Sequence, residues 1–547
     1  MKGLLSVIIL SMPFMLSAQS AINVFSVSQT DLKGTARFVS MAGAFGALGG
    51  DLSAVQQNPG GIGVYRRSDV GLTFNVDMQS TESVARETSP KISQTKCNIS
   101  NIGYVGTIER NSGFLPFLNF GVSYNRPVSY NRHYGGKIND LKSSLSNYIA
   151  DVTNRDGYKT DVLTNNRFNP YQNSDARWLS IMACNSHIIN PKDFDENGSG
   201  YNFKGLLNEK STGFSEYEVI EEGGINELDV NIGGNISNVI YCGFGVELSD
   251  INFSKYTYYG ESINSATVKD NNNGLDKKGT ASWQLENWLK TSGSGWNFKM
   301  GVIARPCNEI RLGLAFHLPT HYSLKDEIRS TIHYETINSA GNNIHRGYVD
   351  ANKGNTDVVK YKVRTPWRLN LSAAAVLGDK AIISTSYERV AYNIMSLSYR
   401  NENGDYVKDI QLSKDVSAYY EGMNIFRVGG EYRLLPTMSL RLGYAYYNSP
   451  VRKDVLEDRL ILSISGTNPA YTLDKATQYV TGGVGVVVKK IYVDFAYVLK
   501  MRESEYRAFT PYNIGPSYES SYKLTPAPSA TVKDYNNQMV CTIGYRF

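Results

Sequence analysis

The stretch FVSMAGAFGALGGDLSAVQQNPGGIGVY, from Phe38 to Tyr65, decides how the whole chain is interpreted. It consists of small and apolar residues with one charge, Asp51, and it has no alternation of apolar and polar positions. Its seven glycines argue against a long helix, because each costs about 1 kcal/mol in a helix interior. An irregular backbone cannot face lipid, where every polar backbone group must be paired. The stretch therefore predicts a plug that fills the inside of a larger structure.

The first 20 residues predict a secretion signal. Lys2 supplies a positive start, Leu4 to Leu16 form an apolar core too short to span a bilayer, and Ala18 and Ser20 are small enough for cleavage. We therefore expect the protein to be exported.

The composition of the 547 residues excludes several classes of protein. A formal net charge of +5 is too small to indicate a nucleic-acid partner. After the signal, the chain has no run of 18 apolar residues that would predict a membrane helix. Its five cysteines are odd in number and scattered, so they do not form a disulfide framework. An exported chain with 38 tyrosines and 49 glycines is instead typical of an outer-membrane β-barrel.

Period-2 alternation supports the barrel. Between Val70 and Met78, apolar residues alternate with Gly, Thr, Asn and Asp, and the same pattern recurs from Leu118 to Asn125 and from Ile310 to Leu318. Apolar-out, polar-in alternation is the signature of a strand in a membrane barrel.

The connections between the predicted strands are of two kinds, short turns and long loops, and the two kinds alternate. Membrane barrels have short periplasmic turns and long external loops, so this pattern predicts about 14 strands with both chain ends in the periplasm. The count requires Ala281 to Arg305 to be one long strand, and we expect a kink or bulge at Gly293 and Gly295 that acts in gating. The predicted regions are the signal (1–20), the plug (21–68) and the barrel (69–547), with a loop insertion near 126–226.

Several motifs resemble the outer-membrane long-chain fatty-acid and hydrophobic-compound transporter family (FadL-type), in particular its Bacteroidetes branch. The motifs are Gly46 to Gly61 with Asn58-Pro59-Gly60, Gly293 to Val302, Thr365 to Arg368 and Gly544 to Phe547. The family usually has Asn-Pro-Ala where this chain has Asn58-Pro59-Gly60. The resemblance implies an all-β, 14-stranded transmembrane antiparallel barrel, closed by an N-terminal hatch, in the outer membrane of a Gram-negative bacterium. It also implies passage of hydrophobic molecules.

Two groups of residues are candidates for ligand binding. In the plug, an apolar pocket is expected from Phe38, Met41, Phe45 and Leu48, with Asn58 and Pro59 fixing the turn that closes it; alternatively, these residues only pack the lumen. In the loop insertion, apolar residues at helical spacing predict an external groove; alternatively, they pack on the barrel mouth. These groove residues are Leu141, Leu145, Ile149 and Trp178.

Other functions have less support. A receptor or adhesin that binds haem or a host ligand through its long loops is the alternative function, but no His-x-x-His pair supports it. No G-x-S-x-G, H-E-x-x-H or C-x-x-C motif indicates an enzyme, and we expect neither catalytic residues, a metal nor a cofactor. The expected partners are a hydrophobic small molecule and outer-membrane lipid, and we expect a monomer.

Overall fold

The structure is a computed structural model of the chain. It describes residues 21–85, 89–165, 167–269, 274–401, 403–460, 462, 466–513 and 524–547. The predicted secretion signal, Met1 to Ser20, lies outside the described residues. Among the helices of the described ranges, none combines the length and the hydropathy needed to cross a membrane.

Strands dominate the chain. In order they are β1 (Asp69–Val84), β2 (Lys91–Glu109), β3 (Phe117–Asn139), β4 (Asn190–Phe194), β5 (Gly200–Lys204), β6 (Thr212–Ile236), β7 (Ile240–Lys269), β8 (Leu275–Ala304), β9 (Ile310–His317), β10 (His321–Ile337), β11 (Asn343–Asp350), β12 (Asp357–Arg364), β13 (Arg368–Leu377), β14 (Ala381–Val390), β15 (Ser396–Arg400), β16 (Tyr406–Lys408), β17 (Met423–Leu435), β18 (Met438–Tyr447), β19 (Tyr471–Val488), β20 (Ile491–Arg507), β21 (Tyr512–Asn513), β22 (Leu524–Thr525) and β23 (Ser529–Arg546).

The large sheet closes on itself as a barrel. Strand β1 pairs antiparallel with β2 on one side and with β23 on the other, so the first and last strands are neighbours. Three barrel strands are each interrupted once: β9 continues as β10, β12 as β13, and β14 as β15. With these counted as single strands, the barrel has 14 strands, which confirms the predicted fold class.

Proline accounts for two of the three interruptions. Pro319 lies between β9 and β10, and Pro366 lies between β12 and β13. Because proline has no N–H to donate, a strand ladder breaks where it occurs. The broken strands remain joined: the backbone N–H of Thr365 donates to the carbonyl oxygen of Thr320 at 3.0 Å.

The two faces of the wall differ in polarity as the alternation predicts. On β1, Val70 and Phe74 are exposed on the outer face, whereas Thr73, Asn75 and Asp77 are buried on the lumen face. Strand β9 shows the same division, since Ile310, Leu312 and Leu314 are about half exposed on its outer face. The outer apolar face matches a lipid-facing band, and the described chain is an outer-membrane barrel.

The described short helices lie either in the plug or in the long connections between wall strands. They are α1 (Ala21–Ser26), α2 (Ala36–Ser40), α3 (Ala54–Gln57), α4 (Leu145–Arg155), α5 (Thr160–Leu163), α6 (Pro170–Asn173), α7 (Trp178–Asn185), α8 (Ile410–Tyr419) and α9 (Lys453–Leu456). The first three belong to the plug, together with a 3₁₀ turn at Pro59–Val64. Helices α4 to α7 lie in the insertion, which covers residues 140–211 and is called the cap below.

Two sequence expectations differ from the structure. The insertion is shorter than 126–226, because β3 continues to Asn139 and β6 begins at Thr212, and the two pair along that length. No bulge occurs at Gly293 or Gly295, because β8 keeps an unbroken register there with both neighbouring strands. Instead, Gly293 has φ +156, and a Cβ at this position would lie 2.1 Å from the carbonyl oxygen of Ser323.

Candidate functional site

The plug contacts the lumen wall through glycines on both sides. A Cβ on Gly60 of the plug would lie 2.9 Å from the backbone of Gly301 on β8. A Cβ on Gly243 of β7 would lie 2.0 Å from the carbonyl oxygen of Pro59, and one on Gly313 of β9 would lie 2.3 Å from that of Gly46. Real Cβ atoms cannot approach so closely, so only glycine permits the plug backbone to lie directly against the wall.

Asn58 holds the turn that begins at Pro59. Its side-chain oxygen accepts a hydrogen bond from the Gly60 N–H at 2.9 Å, and its Nδ2 donates to the carbonyl oxygen of Gly46 at 2.6 Å. The side chain is 1% exposed, and it also fills the space beside Gly301. Asn58 therefore ties two parts of the plug to each other and to β8.

Ion pairs fix the other half of the plug. Lys33 contacts Asp77 of β1 at 2.5 Å, and both side chains are almost fully buried. Asp31 contacts Lys500 of β20 at 2.9 Å, and Arg37 contacts Glu431 of β17 at 3.0 Å. Breaking such a pair by removing one partner is costly, because an unpaired charge then remains in the lumen.

The apolar residues predicted in the plug are all buried. Met41, Phe45 and Leu48 are no more than 4% exposed, and the rings of Phe38 and Phe45 lie 5.7 Å apart. A Cβ on Gly429 of β17 would lie 2.7 Å from the Met41 Cβ, so Met41 packs against the wall. The structure thus brings these residues together as packing, and of the six predicted plug residues only Phe38 lines the cavity beside the plug.

A cavity of about 120 Å³ lies between the plug and strands on one side of the barrel. Apolar side chains of Val27, Leu32, Val128 and Ile225 line part of it. Much of the remaining lining is charged, so the expectation of an apolar pocket is wrong for the cavity in this conformation. The charged lining residues are Asp31, Lys33, Glu227, Glu247, Lys299, Arg368, Glu388 and Arg427.

Most of the cations at the cavity have acidic partners. Lys299 contacts Asp229 at 2.9 Å and also contacts Glu247, while Arg427 contacts Glu388 at 2.7 Å. The carboxylates of Glu227, Asp229 and Glu247 converge within 4.8 Å, but the Lys299 ammonium already lies among them. Arg368 differs, because among the described residues it has no carboxylate within 4 Å and donates only to Thr30 Oγ1 at 3.1 Å.

The barrel wall has a gap between β2 and β3. The two strands pair only from Asn101, opposite Asn125, to Glu109, opposite Phe117. Beyond that point β2 pairs with β1 alone and β3 with β6 alone. The register of β3 with β6 shifts between Asn125 and Val128, so Arg126 and Pro127 form a bulge. A bulge bends its strand, and here it separates β3 from β2.

The gap adjoins both the plug and the cavity. Pro127 and Val128 line the cavity, and the Asp31 N–H of the plug donates to the Pro127 carbonyl oxygen at 3.3 Å. Tyr130 of β3 donates through its hydroxyl to the Ser26 carbonyl oxygen at 3.0 Å. The irregular wall thus lies at Arg126 and Pro127 instead of Gly293 and Gly295, and the dipeptide Arg-Pro within an alternating strand is the signal that marks it.

The cap has a core of its own. Leu141, Leu145 and Ile149 are 5%, 0% and 2% exposed, and Trp178 is half-buried. They pack with wall residues such as Tyr506 and with each other, so they do not form the open groove that the sequence predicts. A pocket of about 20 Å³ remains beside Ile149.

The histidines are spread over separate places. His187 of the cap stacks on His345 of β11 with ring centroids 3.8 Å apart. His133 contacts Glu218, while His317 faces the lumen and hydrogen-bonds the Gln57 carbonyl oxygen at 2.9 Å. Burial, together with the positive charge of Lys269 and the neighbouring His345, lowers the pKa of His187 to about 4.

Two solved structures of outer-membrane proteins superpose on most of this chain. A FadL homologue from Pseudomonas aeruginosa superposes with a TM-score of 0.49 at 12% identity, over 95% of this chain and 99% of that one. The toluene transporter TodX of P. putida superposes with a TM-score of 0.45 at 11% identity, over 94% and 99%. No curated protein matches the sequence.

A family match covers much of the barrel. Residues 224–487, from β6 to β19, match the family described as outer membrane protein transport protein (OMPP1/FadL/TodX). This part of the barrel, just under half of the chain, is therefore similar to the OMPP1/FadL/TodX family of outer membrane transport proteins.

Proposed function

We propose that this protein is a channel for passive uptake of hydrophobic small molecules such as long-chain fatty acids, and that they leave sideways through the gap between β2 and β3. The observation that carries the proposal is the position of Pro127, which belongs to the bulge, lines the cavity and is hydrogen-bonded by the plug. A ligand released there reaches the lipid without crossing the polar end of the barrel.

The cavity must become larger before a long-chain ligand can pass the plug. A cavity of about 120 Å³ is smaller than the roughly 300–1,000 Å³ of ordinary ligand sites, so it holds no long acyl chain as it stands. The segment from Ser26 to Lys33 must shift to enlarge it. Because this segment bonds to Pro127 and Tyr130, its movement also changes the edge of the gap.

The lining favours a ligand with an apolar tail and an acidic head. The apolar group of Val27, Leu32, Val128 and Ile225 lies on the cavity surface, and burial contributes about 0.8 kcal/mol per methylene of a tail. Arg368 supplies a guanidinium without an ion-pair partner among the described residues, and such a group pairs well with a carboxylate. Glu227 faces the same cavity and bonds to Gln56 of the plug.

Deleting Pro127 tests the route. The deletion removes the extra residue of β3, restores a regular register with β6 and lets β3 approach β2. We expect uptake of a radiolabelled C18 fatty acid to fall to the level of cells that lack the protein. Pro127→Ala keeps the extra residue and is the matched control, with uptake close to wild type.

Two further measurements make the test decisive. Heat-modifiable migration on gels shows whether each variant has assembled as a barrel. Normal uptake by an assembled Pro127 deletion would refute release through the gap.

A second variant, Arg368→Leu, tests whether the cavity recognises an acidic head group. Uptake of a monoaromatic hydrocarbon is measured beside uptake of the fatty acid, and we expect loss of uptake for the acid only.

A further inference from the structure

We propose that a basic patch on the outer wall, just beyond the apolar band, binds the phosphate groups of the outer-leaflet glycolipid of the lipopolysaccharide type. The patch consists of outward side chains on three barrel strands that are neighbours in the wall, β8, β10 and β12. Its residues are Lys290, Lys325, Arg329, Lys360, Lys362 and Arg364.

The strand register places these cations side by side. Lys325 lies directly opposite Lys360, and Arg364 lies opposite His321. On the other edge of β10, Arg329 lies opposite Trp288 of β8. Their lumen-facing neighbours, such as Tyr322 and Tyr361, are buried, so the cations point away from the barrel. Residues opposite each other on a sheet have Cβ atoms about 4.5–5.5 Å apart, so the charges form one surface.

The patch lacks enough acid to neutralise it. Glu327 lies within it and contacts Lys325 at 2.5 Å, while Asp350 and Glu286 lie at its outer rim. Lys290 lies directly opposite the same Glu327, and among the described residues Lys360 has no carboxylate within 4 Å. Like charges directly opposite each other, as in Lys325 and Lys360, destabilise a sheet unless an anion lies between them.

The neighbouring face of the barrel shows that this excess is local. On β6 the outward acids Glu216, Glu218 and Glu222 contact Lys137, His133 and Lys96. Two of these acids thus have a lysine partner and the third has a histidine, whereas the patch on β8, β10 and β12 holds six cations and one central acid.

The height of the patch in the membrane selects the occupant. Trp296, 47% exposed, stacks on His321 with ring centroids 5.1 Å apart, and outward tryptophan marks the membrane interface. Arg364 lies level with this pair, and Lys290 lies six residues further out along β8. Six residues span about 20 Å along a strand, and roughly 15 Å along the membrane normal at a tilt of about 40°.

This height is the external headgroup layer, since the short turns, such as those between β6 and β7 and between β8 and β9, lie on the other side of the barrel. Arginine and lysine bind phosphate through charge-assisted hydrogen bonds. The anions of this layer are glycolipid phosphates. Aromatic side chains add to the surface, as Lys362 Nζ lies 4.0 Å from the centroid of the Tyr406 ring. The chemistry of the patch is therefore complementary to phosphorylated saccharide headgroups.

The test compares three probes on the purified full-length barrel. Thermal stability is measured with lipopolysaccharide, with the same glycolipid after enzymatic removal of its lipid A phosphates, and with inorganic phosphate. We expect stabilisation by the phosphorylated glycolipid alone. Equal effects of the first two probes, or saturation by inorganic phosphate, would overturn the proposal.

Variants locate the site. Lys360→Gln/Lys362→Gln/Arg364→Gln should weaken glycolipid binding by at least about tenfold, because each basic residue near an anionic surface contributes to the attraction. The control replaces three exposed lysines that have acidic partners, Lys137→Gln/Lys159→Gln/Lys475→Gln, and should bind like wild type. Wild-type binding by the first variant would overturn the proposal, and the phosphate comparison on the unaltered protein stands if that variant fails to assemble.

Discussion

The plug and the cap are both short-helix segments that pack against one barrel, yet they are held in different ways. The plug is bound by backbone contacts at glycines and by buried ion pairs such as Lys33 with Asp77. The cap is held by an apolar core that includes Leu145, Met182 and Phe203, all fully buried or nearly so.

The two kinds of contact differ in how readily they allow a segment to move. Apolar packing is short-ranged and non-directional, so the cap core resists any separation of its parts. Ion pairs and hydrogen bonds at the plug are directional, and they can be exchanged for water or ligand groups when a segment shifts. On this comparison we propose that the plug is the part that moves in transport, and that the cap is a fixed cover.

The largest effect is expected from Lys33→Met. Removing one partner of a buried pair costs about 3–5 kcal/mol, because Asp77 then remains as an unpaired charge in the lumen. We expect a loosened plug, seen as sensitivity of cells to a large hydrophilic antibiotic that intact outer membranes exclude. The double variant Lys33→Met/Asp77→Asn removes that charge and should recover much of the barrier. Equal leakage in both variants would show that the pair does not hold the plug.

Leu145→Ala tests the other half of the comparison. The side chain is 0% exposed, and a Leu to Ala change in a core costs about 2–5 kcal/mol. We expect faster proteolysis within residues 140–211, measured on the purified barrel, while antibiotic exclusion stays at the wild-type level. A leak in this variant would mean that cap and plug are coupled. An exposed leucine, Leu442 of β18, gives the matched control Leu442→Ala.

Gly301→Ala should have a smaller effect on the plug. Its Cβ would lie 1.9 Å from Asn58 Oδ1, and overpacking costs about 1–3 kcal/mol. The expected result is a partial loss of antibiotic exclusion in a barrel that still assembles. Gly430→Ala is the control, because the nearest atom to its Cβ would be 3.7 Å away. Identical behaviour of the two variants would argue against close backbone contact as the anchor of the plug.

The smallest effect is a pH dependence of the cap. Because the pKa of His187 is about 4 in the folded cap against an ordinary 6.5, the unfolded cap binds the proton first as pH falls. Cap stability should therefore decline between pH 6.5 and 4 and level off below, as measured by proteolysis over that range. His187→Asn keeps a residue that tolerates the φ of +57 and should flatten the decline. An unchanged profile in this variant would assign the decline to other groups.

Much of the fold could be predicted from the sequence. The alternation at Val70 to Met78 and at Ile310 to Leu318 predicts lipid-facing strands, because side chains on a strand point to opposite faces in turn. The alternation of short turns with long loops predicts 14 strands, and the lengths of these connections are also read directly from the sequence. By contrast, the sequence predicts an open groove at Leu145 and Ile149, whereas both residues are buried in the cap core. Helical spacing identifies an apolar face but does not show what covers it.

The sequence by itself determined that a glycine-rich, apolar segment between Phe38 and Tyr65 is followed by a barrel, since composition and period are local properties. Only the tertiary structure decided that Gly60 lies on Gly301, that Lys33 pairs with Asp77 and that the wall opens at Pro127. These are contacts between residues far apart in the chain. They depend on strand register, and one residue more or less in a strand changes every partner beyond it.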